Sequence, residues 1–133
     1  GLAEQNDVDA NRSYGMSIGH NDTDNVMRNN RIANSGKAGI LFRNDTRGQD
    51  FWANRNLVEN NRISNSGGPD GVAIDITGHT KDIRIVGNAI VEDRQPMQRT
   101  GIRIGANVGT VEMKDNTISG VHTAVVDNRS KAV

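Results

Sequence analysis

Cysteine is absent from this 133-residue chain, so neither disulfides nor thiolate chemistry is available to it, and its redox compartment is left open. Proline occurs twice. Two Phe, one Trp and one Tyr are too few large rings to fill an ordinary globular core. An excess of either charge is also missing: 16 Lys and Arg stand against 16 Asp and Glu, with no basic tract. That balance excludes the electrostatic footprint of a nucleic-acid binder and any pull toward an anionic membrane, so neither partner is expected. No apolar run approaches the roughly 20 residues of a membrane-spanning helix, and none reads as a secretory leader. Mean hydropathy is negative, yet apolar residues recur at regular spacing throughout, which argues against disorder.

What the chain has in abundance is glycine (15) and asparagine (17), and one asparagine returns in a fixed phrase. It reads Asn6-Asp7-Val8, Asn30-Arg31-Ile32, Asn61-Arg62-Ile63, Asn88-Ala89-Ile90 and Asn116-Thr117-Ile118, at intervals of 24, 31, 27 and 28 residues. After each of the first three comes a glycine and an alternating run: Gly15-Met16-Ser17-Ile18, Gly39-Ile40-Leu41-Phe42 and Gly71-Val72-Ala73-Ile74. The fourth unit reaches Gly101-Ile102-Arg103-Ile104 after a longer loop, and the fifth has Thr123-Ala124-Val125-Val126 without the glycine. Self-similarity at this period signals a solenoid, whose units bury their apolar faces only against one another.

Within a unit the pattern is that of strands. Ile83 and Ile85 alternate, Gly87-Asn88 interrupts, and Ile90 follows; Met27 and Ile32 flank Asn29-Asn30, Val58 and Ile63 flank Asn60-Asn61, and Val111, Met113 and Ile118 flank Asp115-Asn116. Gly, Asn and Asp tolerate left-handed backbone angles, so each break reads as a tight bend between two strands. A polar loop and the glycine-led run then supply a third strand. Three short strands per turn predict an all-β fold, a parallel β-helix of about five coils and about 24 Å in length at the usual strand spacing. Asn6, Asn30, Asn61, Asn88 and Asn116 are expected to point inward as a ladder, each amide bonding the one above and below. Their role is structural.

These phrases, Asn-x-Ile followed by Gly-Ile-x-Ile, resemble the right-handed single-stranded parallel β-helix repeats of the pectate-lyase-like superfamily, and within it the NosD-like and polysaccharide-epimerase repeats. The resemblance runs from about Leu2 to Val126. It implies polysaccharide as the typical ligand and an extracellular or periplasmic setting. The Asp-Pro-His signature of alginate epimerases and the calcium and arginine cluster of pectate lyases are not found. Residues 1–133 read as a single domain. With no initiator Met, a start inside a repeat and no amphipathic capping helix, the expectation is a segment of a longer protein. Its uncapped coils would offer end-to-end self-association.

Function is sought on outward positions. In the third strands Ile40, Phe42, Val72, Ile74, Ile76, Ile102 and Ile104 are expected to face in, and Arg43, Asp75 and Arg103 to face out on successive turns, with Gly105 level with Asp75. An Arg-Asp-Arg patch has the chemistry to hold a uronate carboxylate, with Asp75 and Arg103 as catalytic candidates; its plain reading is a surface ion-pair network. The loops before these strands add Lys37, Asp70, Asp93, Arg94, Arg99 and His122 as candidate substrate contacts, and the insertion from Glu92 to Arg99 is the expected groove wall. For a Ca²⁺ ion the oxygen donors would be Asp70, Asp75 and Asp93, although no contiguous calcium-loop motif exists. His20 and His79 lie two turns apart, about 10 Å, too far to share a metal, and read as turn residues. Trp52 is a candidate for stacking on a sugar ring; alternatively Phe51 and Trp52 anchor the excursion between Asn44 and Asn56 onto the coil. No Ser-His-Asp, metalloprotease or phosphate-loop motif appears.

Three function classes follow: a scaffold or carbohydrate-binding segment of a larger protein; a polysaccharide lyase, epimerase or hydrolase acting on uronate-containing glycans; and a self-assembling or adhesin-type module. Fold alone does not choose among them.

Overall fold

Short alternating runs, broken by residues that accept left-handed angles, produce fifteen strands and no helix among the residues described by the computed structural model, 1–45 and 52–129. The strands form three parallel five-stranded sheets. The first holds β1 (Leu2–Glu4), β4 (Val26–Arg28), β7 (Leu57–Glu59), β10 (Ile83–Val86) and β13 (Val111–Lys114). The second holds β2 (Asp7–Asp9), β5 (Arg31–Ala33), β8 (Arg62–Ser64), β11 (Ala89–Val91) and β14 (Thr117–Ser119). The third holds β3 (Tyr14–Ile18), β6 (Ala38–Phe42), β9 (Val72–Ile76), β12 (Thr100–Ile104) and β15 (Thr123–Asp127). Every third strand returns to the same sheet, so the chain is a parallel β-solenoid. The expected five coils are five layers of strands, and about four turns separate the first layer from the last.

The core is a set of stacked rows. Ala3, Met27, Val58, Ile85 and Met113 share one row of the first sheet. Val8, Ile32, Ile63, Ile90 and Ile118 share one of the second, and Met16, Ile40, Ile74, Ile102 and Val125 one of the third. The middle three members of each row are buried, each worth about 1.5–3 kcal/mol of apolar burial. Rows of β-branched side chains at one level fill a narrow interior without large aromatics; Phe42 alone is buried among the described aromatic residues.

The asparagine ladder forms as expected. Asn30 donates both its backbone N–H and its Nδ2 to Asn61 Oδ1, each at 3.0 Å, and Nδ2 also reaches the Ala3 carbonyl. Asn61 repeats this toward Asn88 and Met27, and Asn88 toward Asn116 and Val58. The residue before each ladder asparagine is left-handed: Gln5, Asn29, Asn60, Gly87 and Asp115. Four of these are residue types that tolerate that region; Gln5 is not, and no sequence signal marked it. A second, shorter ladder pairs the Asn25 N–H with Asn56 Oδ1 at 2.8 Å. Its sequence signal was the same 31-residue interval that separates Asn30 from Asn61.

One register differs from the reading above. Gly71 does not lead its strand in line with Gly39 and Gly101. The residues at that level are Gly15, Gly39, Ala73, Gly101 and Ala124, as the neighbouring pairs show. A Cβ at Gly39 would stand 2.5 Å from Ile63 Cγ2 and 2.7 Å from the Ala73 carbonyl, so the strand start swings into the corner of the coil there. Gly71 instead closes a tight loop, where a Cβ would meet the Ser66 carbonyl at 2.1 Å. The slip is two residues, which preserves side-chain facing and so leaves the predicted inward set intact. It does misplace the outward neighbours. Asp75 is level with Leu41 and Arg103, not with Arg43 and Gly105.

Candidate functional site

The register puts Asp75 on β9 directly beside Arg103 on β12. Arg103 donates from Nε to Asp75 Oδ1 at 3.1 Å and from Nη2 to Oδ2 at 2.7 Å, a two-point fork. Asp75 is only 7% exposed because the guanidinium lies across it, whereas the Arg103 side chain is 44% exposed. The hydrogen bonds to Asp75 hold the guanidinium above its usual range; partial desolvation opposes this, and the charges of Asp75 and Asp70 add to it. Both oxygens of Asp75 are thus engaged by Arg103.

Beside this pair a cleft of about 380 Å³ opens where the third strands begin. It is lined by Tyr14, Lys37, Leu41, Asp70, Asp75 and Arg103, with Gly36, Gly68, Gly71 and the buried Ala38 and Val72. Lys37 and Asp70 are exposed, and among the described residues neither forms a side-chain hydrogen bond or ion pair. Tyr14 is half-buried at the first layer of the sheet. It was not among the sequence candidates, and its position as the single tyrosine, directly before Gly15, was the available signal.

Other candidates lie elsewhere. Arg43 sits one pleat further along, bonded from Nη1 to Ser17 Oγ at 2.8 Å and 3.7 Å from Asp45. Arg94 and Arg99 turn onto Glu92, whose side chain is 3% exposed. Arg94 also reaches the Gly67 carbonyl at 3.0 Å, and Arg99 the Gln95 carbonyl. The insertion from Glu92 to Arg99 is therefore folded around its own buried carboxylate. It braces the loop that carries Asp70, through the Gln98 N–H on the Pro69 carbonyl at 2.8 Å, and does not line the cleft itself. Asp93 is exposed on that insertion, its N–H on Asn65 Oδ1. His122 is exposed at the last layer, beside Arg99 in the backbone ladder.

Trp52 packs over Gly78, where a Cβ would stand 2.2 Å from Cζ3, and meets the His79 ring edge-on at 5.2 Å. Gly78 is left-handed, so the flat approach of the indole depends on glycine there. This is the loop-anchoring arrangement for Trp52; Phe51 lies outside the described residues. Trp52, Asn54, His79 and Lys81 border a separate open hollow on the neighbouring edge. His20 adopts a left-handed turn conformation. Among the described residues no three His, Asp or Glu side chains converge as a metal site; Asp70 and Asp75 share the cleft, and Asp93 is not in it.

A family model for the right-handed β-helix region matches residues 1–132. The chain belongs to the right-handed β-helix family. No curated protein and no solved structure matches it. Membership in the right-handed β-helix family agrees with the solenoid, the three parallel sheets and the buried asparagines. Activity is a separate question, because a fold does not by itself fix a function.

Proposed function

We propose that the chain is a noncatalytic β-helical segment that binds carbohydrate in the cleft between Tyr14, Lys37, Asp70 and Arg103. The carrying observation is an open cleft that combines one aromatic side chain, Tyr14, with one donor, Lys37, and one acceptor, Asp70, neither of which makes a side-chain hydrogen bond or ion pair among the described residues. A sugar ring presents an apolar face and a rim of hydroxyls. Tyr14 suits the face, and Lys37 and Asp70 suit the hydroxyls. The cleft volume lies in the range of small-molecule sites, about 300–1,000 Å³. The resemblance of the repeats to the pectate-lyase-like superfamily supports a polysaccharide as the larger ligand.

The noncatalytic reading rests on Asp75, whose oxygens are both held by Arg103. A lyase, epimerase or hydrolase reading draws on the second carboxylate, Asp70, in the same cleft, and requires substrate to displace Arg103 from Asp75. One experiment separates them: calorimetric titration of uronate-containing and neutral oligosaccharides, with product analysis in parallel. Binding that is lost in Tyr14→Ala and Lys37→Ala, without turnover, is the expected result. Turnover abolished by Asp75→Asn would replace it with the enzyme. No binding to any saccharide, or binding indifferent to Tyr14 and Lys37, would refute the cleft.

A further inference from the structure

Among the described residues, Ser66 Oγ and Arg99 Nε are buried without a hydrogen-bond partner, and both residues line the same small cavity. Ser66 is 5% exposed and Arg99 7%. The cavity lies in the interior of the stack, where the second sheet turns toward the third beneath the insertion from Glu92 to Arg99. Ile63, Ala73 and Ile90 give it an apolar wall, and its buried polar side chains are Ser66, Glu92 and Arg99. Its volume is about 10 Å³. One water sphere takes up about the same space.

The polar groups around it are incompletely used. Arg99 donates from Nη1 to the Gln95 carbonyl, but its Nε stands 3.8 Å from Glu92 Oε1, too far for a direct bond. A polar gap of that width is one that a water can close. Glu92 Oε1 accepts from Arg94 Nε and keeps a further lone pair. Burying a hydroxyl and a guanidinium N–H unpaired is costly, whereas a water with two to four partners satisfies both.

We propose that this cavity is a binding site for one internal water, which accepts from Arg99 Nε, bonds Ser66 Oγ and donates to Glu92 Oε1. The two charges select a neutral occupant, since Glu92 repels an anion and Arg99 a cation. The volume admits no larger group. The water is part of the joint between coil and insertion, because Ser66 follows β8 on the coil while Glu92 and Arg99 belong to the insertion. The Gln98 N–H braces the Pro69 carbonyl beside Asp70, so the same joint sets where the Asp70 loop stands.

Ser66→Ala tests this by sign. The hydroxyl has no protein partner among the described residues, so with nothing bound its removal would relieve an unpaired group and raise the melting temperature. With the water bound, its removal takes away one of the water's partners, and the melting temperature should fall by about 2–6 °C. A crystal structure of the wild-type chain reads the occupant directly. One density peak within about 3.2 Å of both Ser66 Oγ and Arg99 Nε is expected, with no anomalous signal there after a bromide soak. A melting temperature that rises or stays the same in Ser66→Ala would overturn the proposal. So would a cavity without density, or a bromide peak within it. Neither readout involves saccharide binding in the Tyr14 cleft.

Discussion

Replacing Asn61 with alanine should cost about 4 kcal/mol, far more than the same change at Asn6. Asn61 is 1% exposed and sits mid-ladder. Its Oδ1 is the acceptor for the Asn30 N–H, which the substitution leaves buried and unpaired, a loss of about 1–3 kcal/mol. The bonds from Asn30 Nδ2, and from Asn61 Nδ2 to Met27 and Asn88, go as well, at about 0.5–1.5 kcal/mol each. At Asn6 only the Nδ2 bond to Asn30 disappears; the Asn6 backbone N–H still donates to Asn30 Oδ1, and no partner is orphaned. That change should cost about 1 kcal/mol or less. Asn116→Ala falls between, about 2 kcal/mol, because it orphans the buried Asn88 N–H but at a half-buried position that water can enter. The predicted order, Asn61 above Asn116 above Asn6, follows from the direction of the ladder and not from asparagine content. Urea titrations read by far-ultraviolet circular dichroism and extrapolated to water would measure it. If Asn61→Ala and Asn6→Ala differ by less than about 0.5 kcal/mol, the direction of the ladder does not set its contribution to stability.

Three further outcomes are expected. Gly39→Ala drives a methyl into Ile63 and the Ala73 carbonyl and should cost about 1–3 kcal/mol, whereas Ala73→Gly, at the same level in the next turn, should stay near 1 kcal/mol; thermal melts of the two compare them directly. Glu92→Gln leaves the buried Arg99 without its counter-charge, costs about 3 kcal/mol, and should open the chain to trypsin at Arg94 and Arg99 before other sites, as timed digests would reveal. Acid should also weaken the coil. The Arg55 hydrogen bond holds the Asp24 carboxyl below its usual 3.8, and the Asn34 amide does the same for Asp9. Their contribution is present above about pH 3.8 and is lost as pH falls through the lowered folded values. Melting temperatures taken downward from about pH 5 should fall below that point, and Asp24→Asn should flatten part of the fall.

Much of this was legible because a solenoid writes one local rule many times. The phrases at Asn30, Asn61 and Asn88 each carry a bend, an inward amide and an apolar residue two positions on, and the structure places all three as read. The outward site was less legible. The loops between second and third strands differ in length, so the glycine at 71 offered a false frame two residues from the true one. Inward residues survived that slip because facing repeats every two residues, and Arg103 pairs with Asp75 in the expected patch, but Arg43 stands apart from it. Arg94 and Arg99 read in sequence as candidate substrate contacts. Their carboxylate, Glu92, lies within the same loop, and only the folded loop brings it under them.

The sequence by itself determined the architecture: three short strands per turn, parallel stacking, an inward asparagine ladder and an aliphatic interior. Periodicity and residue type are local, and each turn restates them. The tertiary structure alone decided which charges meet. Ion pairing across turns depends on register, register depends on loops of unequal length, and a shift of two residues there exchanges one partner for another. For the same reason the cleft beside Tyr14 became visible only once the layers were stacked.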